Sequence, residues 1–380
     1  MDFGFSDEQQ DVSNLAREML SDLVSPEKLK AYDEYAAERF DRELWRQLAE
    51  AGLLGVAVEE AYGGMGFGFI ELCLFIEELG RTIAPVPVIT HLVSAALPIQ
   101  KFGDEQIKER YLGQVVSGEI LLTAALNENL NDNPANPRST TAELDSGSGS
   151  YRVSGQKRHV AFAAQADRVL VSARVGDGVA VLLVNPNAGG VVLTPLTVSS
   201  YEQQYVMDMD NVAVAAEDVL AGPENGAEVM NWLSERTMAA LCSHQLGIAD
   251  HCTKLTATYT SERKQFGVPV ATFQAVGHRA ANCFIDVECL RLNTYQAISR
   301  LAGEIEATNE VEIAKIWAGD VGHRVSYASQ HLHGGMGIDR DYQLWRYCLW
   351  ARQNELVLGS SAQLLSRLGK RIAAGEAYCA

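Results

Sequence analysis

The sequence predicts an α+β fold in three consecutive segments, helical, then β, then helical. Three observations carry this. Apolar positions recur at helical spacing from Phe5 to about Ser117, and between about Glu119 and Gly222 short β-branched runs alternate with turn residues. Beyond Glu224 helical spacing returns, with no proline between Pro223 and Pro269. The expected units are therefore an N-terminal helical domain at 1–118, a central antiparallel β-domain at 119–223 and a C-terminal four-helix bundle at 224–380.

In the first segment LWRQLAEAGLLGV and IELCLFIEELGRTI each carry an apolar stripe, and the glycine-rich AYGGMGFG breaks the pattern between them. In the second, ILLTAAL, YRVSGQKRHVAF, DRVLVSARV, GVAVLLVNP and GVVLTPLTV read as strands; their regular spacing, without helices between, implies antiparallel pairing. In the third, a helix of several turns is expected from about Ala227 to Lys264, ending at Gly267, where glycine can take the left-handed conformation. Helices follow at TFQAVGHRAANCFIDVECLRLNTYQAISRLAG, at EVEIAKIWAGDVGHRVSYASQHL and in two pieces from Tyr342 onward. NENLNDNPANPRST and SGSGS are the most loop-like stretches.

A chain of 380 residues with 47% hydrophobic residues buries a large core. Its net charge of −18 argues against a nucleic-acid or anionic-membrane surface, so an anionic ligand must be held by a local basic cluster. No stretch reaches the roughly 18 uninterrupted apolar residues of a membrane span, and MDFGFSDEQQDVSNL lacks the basic and apolar regions of a secretion signal; a cytoplasmic address is expected. Seven cysteines without a C-x-x-C pair read as free thiols rather than disulfides or a metal site.

Two stretches stand out. SERKQFG, residues 261–267, places a cation and an aromatic at a helix end; basic residues there also suit the helix dipole with no ligand at all. SQHLHGGMGIDRDYQLWRY, residues 329–347, has paired glycines directly after a helix, which allow close backbone approach to a ligand. His331 and His333 lie two apart with no acidic or cysteine ligand in register, so no metal site is expected.

From MDFGFSDEQ through EEAYGGMGFG and SERKQFGVPVATFQAVGHR to QHLHGGMGIDRDYQLWRY, the chain resembles the acyl-CoA dehydrogenase family over essentially its whole length. The resemblance implies FAD as cofactor and an acyl-CoA thioester as substrate. A glutamate would remove the α-proton while a hydride passes to the flavin, with electron-transferring flavoprotein as a candidate acceptor. It also implies that each FAD lies across a subunit interface, its adenosine diphosphate end gripped by the neighbouring chain. The residues matching that grip are Arg263, Gln265, Phe266, Phe273, Gln274, His331, Gly334 and Gly335, with Ser360 beside the flavin. The family's own-flavin contacts, T-E-P-x-x-G-S-D and G-x-K-x-W-I-T, are degraded here: the first reads ALNENLNDNP, with Asn127 and Glu128 in place of Thr-Glu, and the second GQKRHVA, with His159 and Ala161 replacing Trp and Thr.

The family's catalytic glutamate falls at Leu358, in VLGS where the pattern reads YEGT, and leucine takes no proton. Glu355 lies three residues early, displaced about 4.5 Å along a helix axis, and reads most simply as a carboxylate near the last helical turn. Relatives of another type carry the base on the first C-terminal helix before an arginine, which points to Glu235 ahead of Arg236, two residues out of register. Glu235 shares a helical face with Trp232, Met238 and Cys242, where burial would raise a carboxyl's pKa toward that of a useful base. The resemblance is strongest to partner-type subunits of actinobacterial α2β2 enzymes that shorten steroid side chains, in which a homologous catalytic subunit supplies the base. A self-sufficient homotetramer using Glu235, and a flavin-dependent monooxygenase on the same fold, are the alternatives.

Overall fold

The computed structural model describes residues 4–33, 38–131 and 133–375. The first helices are α1 (Asp7–Leu23), α2 (Pro26–Leu29), α3 (Arg42–Glu50), α4 (Phe69–Thr82), α5 (Leu97–Phe102) and α6 (Glu105–Val116), with a π-helical stretch over Ile89–Ala96. Their starts are written in the sequence. Ser6 and Gln9 cap α1 reciprocally, while the Asp41 and Asp104 carboxylates accept from the backbone N–H of Leu44 (3.0 Å) and Ile107 (2.9 Å).

Eight strands follow: β1 (Leu122–Ala125), β2 (Thr141–Asp145), β3 (Ser150–Ala161), β4 (Arg168–Val175), β5 (Gly178–Val184), β6 (Val191–Leu196), β7 (Gln204–Val214) and β8 (Val219–Ala221). They form one sheet in the order β6-β7-β3-β2-β4-β5-β8, with β1 added beside β4. The sheet is mixed rather than wholly antiparallel. β1 runs parallel to β4, and β2 meets β4 in one parallel bridge, because the chain leaves β1 through the long 126–140 loop instead of a hairpin. Alternation along β3, β4, β5 and β7 buries Val153, Val169, Val171, Leu182 and Met207 in one core. The register of β3 on β7 slips between Lys157 and Val160, and this bulge puts His159 at φ +54°.

The remaining elements are α7 (Gly226–Glu262), the hairpin β9 (Lys264–Gln265) and β10 (Val268–Pro269), then α8 (Gln274–Ala302), α9 (Thr308–His333), α10 (Leu344–Leu356) and α11 (Ser361–Ala373). Gly267 is left-handed, φ +84°, as expected, but it serves the hairpin turn and not the end of α7, which closes five residues earlier.

The chain forms two compact units. One comprises Met1–Lys30, Phe69–Ala84 and Met238–Ala380; the other comprises Ala31–Gly68 and Pro85–Thr237. In the first, α9 packs on α8, α10 and α11, and α4 packs on α1 and α8. α4 and α7 meet backbone to backbone: a Cβ added at Gly80 would stand 2.1 Å from the His244 carbonyl, and one at Gly247 would stand 2.0 Å from that of Glu77. Around this contact Arg81 pairs with Glu77, Glu78 and Asp250, and Tyr295 donates to Glu77 at 2.8 Å, so the buried acids are all compensated. The second unit holds the sheet and the start of α7. Among the described residues no helix is long and apolar enough to cross a membrane, and six free cysteines are found; Cys379 lies outside the described residues.

Candidate functional site

Arg263, Gln265 and Phe266 occupy the β9–β10 hairpin. Gln265 pairs with Val268 and Lys264 with Pro269, leaving Phe266 and Gly267 as a two-residue turn with φ +53° and +84°. A phenylalanine is a poor choice for a left-handed position, costing about 1–2 kcal/mol. Phe266 is nevertheless 94% exposed, its ring edge-on to that of Phe273 at 6.3 Å between ring centres. Strain and exposure together mark a side chain presented for contact, since neither serves this chain's own packing. Arg263 is exposed just past the end of α7, its carbonyl held by the Val270 N–H at 2.8 Å.

Gly334 ends α9 with φ +61° and ψ −134°, a region open only to glycine, and a Cβ at Gly334 or Gly335 would meet nothing within 4 Å. The turn stands close to the hairpin's root because Tyr259, in the last turn of α7, stacks on His333 at 4.3 Å and donates to its carbonyl at 3.2 Å. His333 is completed by the Tyr342 hydroxyl at 3.1 Å, which makes it a buried structural residue. His331 is exposed and receives a hydrogen bond from Arg279. Phe273 and Gln274, both exposed, open α8. An exposed guanidinium, an aromatic face and an open glycine turn suit the adenosine diphosphate end of FAD: charge-assisted hydrogen bonds, stacking and close backbone approach, respectively.

Leu358 is 3% exposed with φ +58°, in the turn between α10 and α11. The turn is pinned by Lys315, whose ammonium donates to the carbonyls of Glu355 (3.0 Å) and Gly359 (3.3 Å). Burial lowers the Lys315 pKa to about 8, with Cys242 and Glu355 opposing the shift. Glu355 itself pairs with Arg352. Ser360 is committed to capping α11, its hydroxyl and N–H both on Gln363 Oε1 at 3.0 and 2.8 Å.

In the other unit, Glu235 is half-buried on α7, beside a stack in which Arg236 lies 3.7 Å over the Trp232 ring and Phe102 meets that ring edge-on. The 127–140 loop is folded upon itself. The Glu128 carboxylate accepts from Lys157 Nζ (3.0 Å) and from the N–H groups of Arg138 (2.6 Å), Ser139 (2.9 Å) and Thr140 (3.1 Å). Burial pushes its pKa up, but the Lys157 charge and those N–H groups outweigh this and hold it at about 2. His159 is held by Gln204 Oε1 at 2.9 Å, and Gln204 in turn donates to Glu202. Asn127 Oδ1 is buried with no donor on it among the described residues. The donors a flavin ring would need on this loop are thus largely spent internally, in contrast to the open hairpin and glycine turn.

The burial of Lys315 and the pairing of Arg279 with His331 carry no sequence signal, because a cation inside a helical pattern looks like a solvated face until packing buries or pairs it. The Glu128–Lys157 pair was half visible, through the lysine of GQK.

Residues 6–119 match the acyl-CoA dehydrogenase N-terminal domain, and residues 224–373 match the acyl-CoA dehydrogenase C-terminal domain. Acyl-CoA dehydrogenase FadE27 of Mycobacterium tuberculosis is 34% identical, over 98% of this chain and 99% of its own length. The crystal structure of the ChsE4-ChsE5 complex from Mycobacterium tuberculosis holds a chain that superposes with a TM-score of 0.92 at 34% identity, covering 100% of both chains. The Tcur3481-Tcur3483 steroid ACAD holds another, with a TM-score of 0.89 at 37% identity over 98% of this chain and 99% of that one.

Proposed function

The chain belongs to the acyl-CoA dehydrogenase family, and from that premise we propose that it is one subunit of a heteromeric FAD-dependent acyl-CoA dehydrogenase, closing the adenosine end of a flavin held chiefly by a homologous catalytic partner. The carrying observation is the contrast between two turns. The hairpin spends backbone strain to hold Phe266 outward next to Arg263, whereas the turn that should carry the base holds a buried leucine. Bound FAD supplies the hydride acceptor for α,β-desaturation of an acyl-CoA thioester. This chain's part is binding. Arg263 holds the diphosphate, Phe266 covers the adenine face, Gly334 and Gly335 let the backbone approach, and Gln265, Phe273, Gln274 and His331 complete the wall.

Phe284 and Ile285, 61% and 58% exposed on α8, support an apolar contact with a second subunit. The names of two structural neighbours, one a complex of two proteins and the other a steroid ACAD, favour a heteromer acting on a steroid-type acyl-CoA. An α2β2 assembly in the cytoplasm, with electron-transferring flavoprotein as acceptor, belongs to the same proposal.

The test is flavin absorbance per protein. The chain expressed alone should be flavin-poor, and co-expression with its partner should give a heterotetramer with one FAD per pair of unlike chains, weakened by Arg263→Ala in this chain. A yellow homo-oligomer with one FAD per chain that oxidises an acyl-CoA unaided would overturn the proposal. In that case Glu235→Gln should abolish acyl-CoA-dependent flavin bleaching.

A further inference from the structure

Arg279, in the second turn of α8 and the last residue of the SERKQFGVPVATFQAVGHR stretch, is fixed at two points on α9. Its guanidinium lies 5.6 Å from the centre of the Tyr327 ring, and its Nη1 donates to His331 Nδ1. Tyr327 and His331 are one helical turn apart, so both contacts fall on the same face of α9, four and eight residues before Gly335. The same guanidinium borders an open groove of about 290 Å³ between α8 and α9, which Asn282, Asp286, His323, Arg324 and Tyr327 also line.

A guanidinium has donors only. An imidazole nitrogen that receives a hydrogen bond from one carries no proton of its own, so the ring proton of His331 must sit on Nε2. We infer that Arg279 is a positioning residue: through His331 Nδ1 it fixes the tautomer that presents an Nε2–H donor to an acceptor on the adenosine diphosphate end of FAD. Without Arg279 the ring is free to rotate and to exchange tautomers, and half of its arrangements offer that acceptor a lone pair instead of a proton. The inference rests on the proposed half-site, and it adds a residue that touches the cofactor only through another.

Two measurements on the co-expressed heteromer test it. First, the FAD dissociation constant is read by equilibrium ultrafiltration for the parent, Arg279→Leu, His331→Gln and the double variant. Arg279→Leu should weaken FAD by about threefold to tenfold, the worth of one neutral hydrogen bond. On the His331→Gln background, where the side-chain amide needs no partner to choose its donor, the same change should have no further effect. An unchanged constant in Arg279→Leu, or an equal loss on both backgrounds, overturns the inference. Second, ¹⁵N-histidine spectra of the full chain in the complex should show His331 protonated at Nε2 and bare at Nδ1, and should show exchange between tautomers in Arg279→Leu. A proton on Nδ1 in the parent also overturns it. Arg263→Ala, measured alongside, separates the two ideas. If that change leaves FAD binding intact the half-site reading fails, whereas loss in Arg263→Ala with none in Arg279→Leu removes the positioning role alone.

Discussion

Phe266→Gly should separate folding from function at a single residue. The phenyl ring is 94% exposed and its contact is the edge of Phe273, while its backbone is left-handed at φ +53°. Glycine relieves a left-handed strain of roughly 1–2 kcal/mol. Against this stand about 0.5–1 kcal/mol of added chain entropy in the unfolded state and about 0.5–1.5 kcal/mol for the lost aromatic edge contact. These terms nearly cancel, so stability should change by no more than about 1.5 kcal/mol, where truncating a buried phenylalanine costs about 3–5 kcal/mol. Binding should respond differently. Stacking of an aromatic side chain on a base is worth about 1–3 kcal/mol, which is roughly a 5- to 150-fold weaker hold on FAD in the assembled heteromer. Urea denaturation of the chain and ultrafiltration of the loaded complex read the two quantities. An unfolding midpoint lowered by the equivalent of 3 kcal/mol would mean that Phe266 packs in the fold, and an unchanged FAD constant would mean that it touches no adenine.

Three further outcomes follow from the buried groups. The Glu128 pKa lies at about 2 in the fold, below its ordinary value near 4.3, so the stability it contributes is complete above that ordinary value and is lost as pH falls through 2. The urea midpoint of the parent should therefore decline between about pH 4.3 and pH 2 more steeply than that of Glu128→Gln, and Lys157→Met, which strands the carboxylate, should cost about 3–5 kcal/mol at neutral pH. Leu358→Glu restores a carboxylate at the family's catalytic position but sets it in a buried, left-handed site. It should lower the melting temperature without conferring acyl-CoA-dependent flavin bleaching on the chain alone, and clear bleaching would mean that this subunit carries a usable flavin site of its own.

What the sequence determined by itself was whatever local chemistry sets. Ser6-x-x-Gln9 and Asp104 start helices through their own side chains, alternation along DRVLVSARV and GVAVLLVNP makes strands, and the succession α, β, α follows from where one period gives way to the other. The same holds for the loss of the base, because Leu358 is leucine in any fold. The outward aromatic was legible as a motif, but the hairpin that strains it was not: SERKQFG reads as a helix end, and only the pairing of Gln265 with Val268 turns it back on itself. Partners distant in sequence were beyond reach altogether. That β1 lies parallel to β4, that α4 closes on α7 through Gly80 and Gly247, that Lys315 reaches across forty residues to the Glu355 carbonyl, and that Arg279 finds His331 are all decisions of tertiary packing. Their physical reason is shared. A buried or paired polar group is fixed by which partner can satisfy it at hydrogen-bonding distance, and that choice is made by the whole fold, whereas caps and periodicities are settled within a few residues.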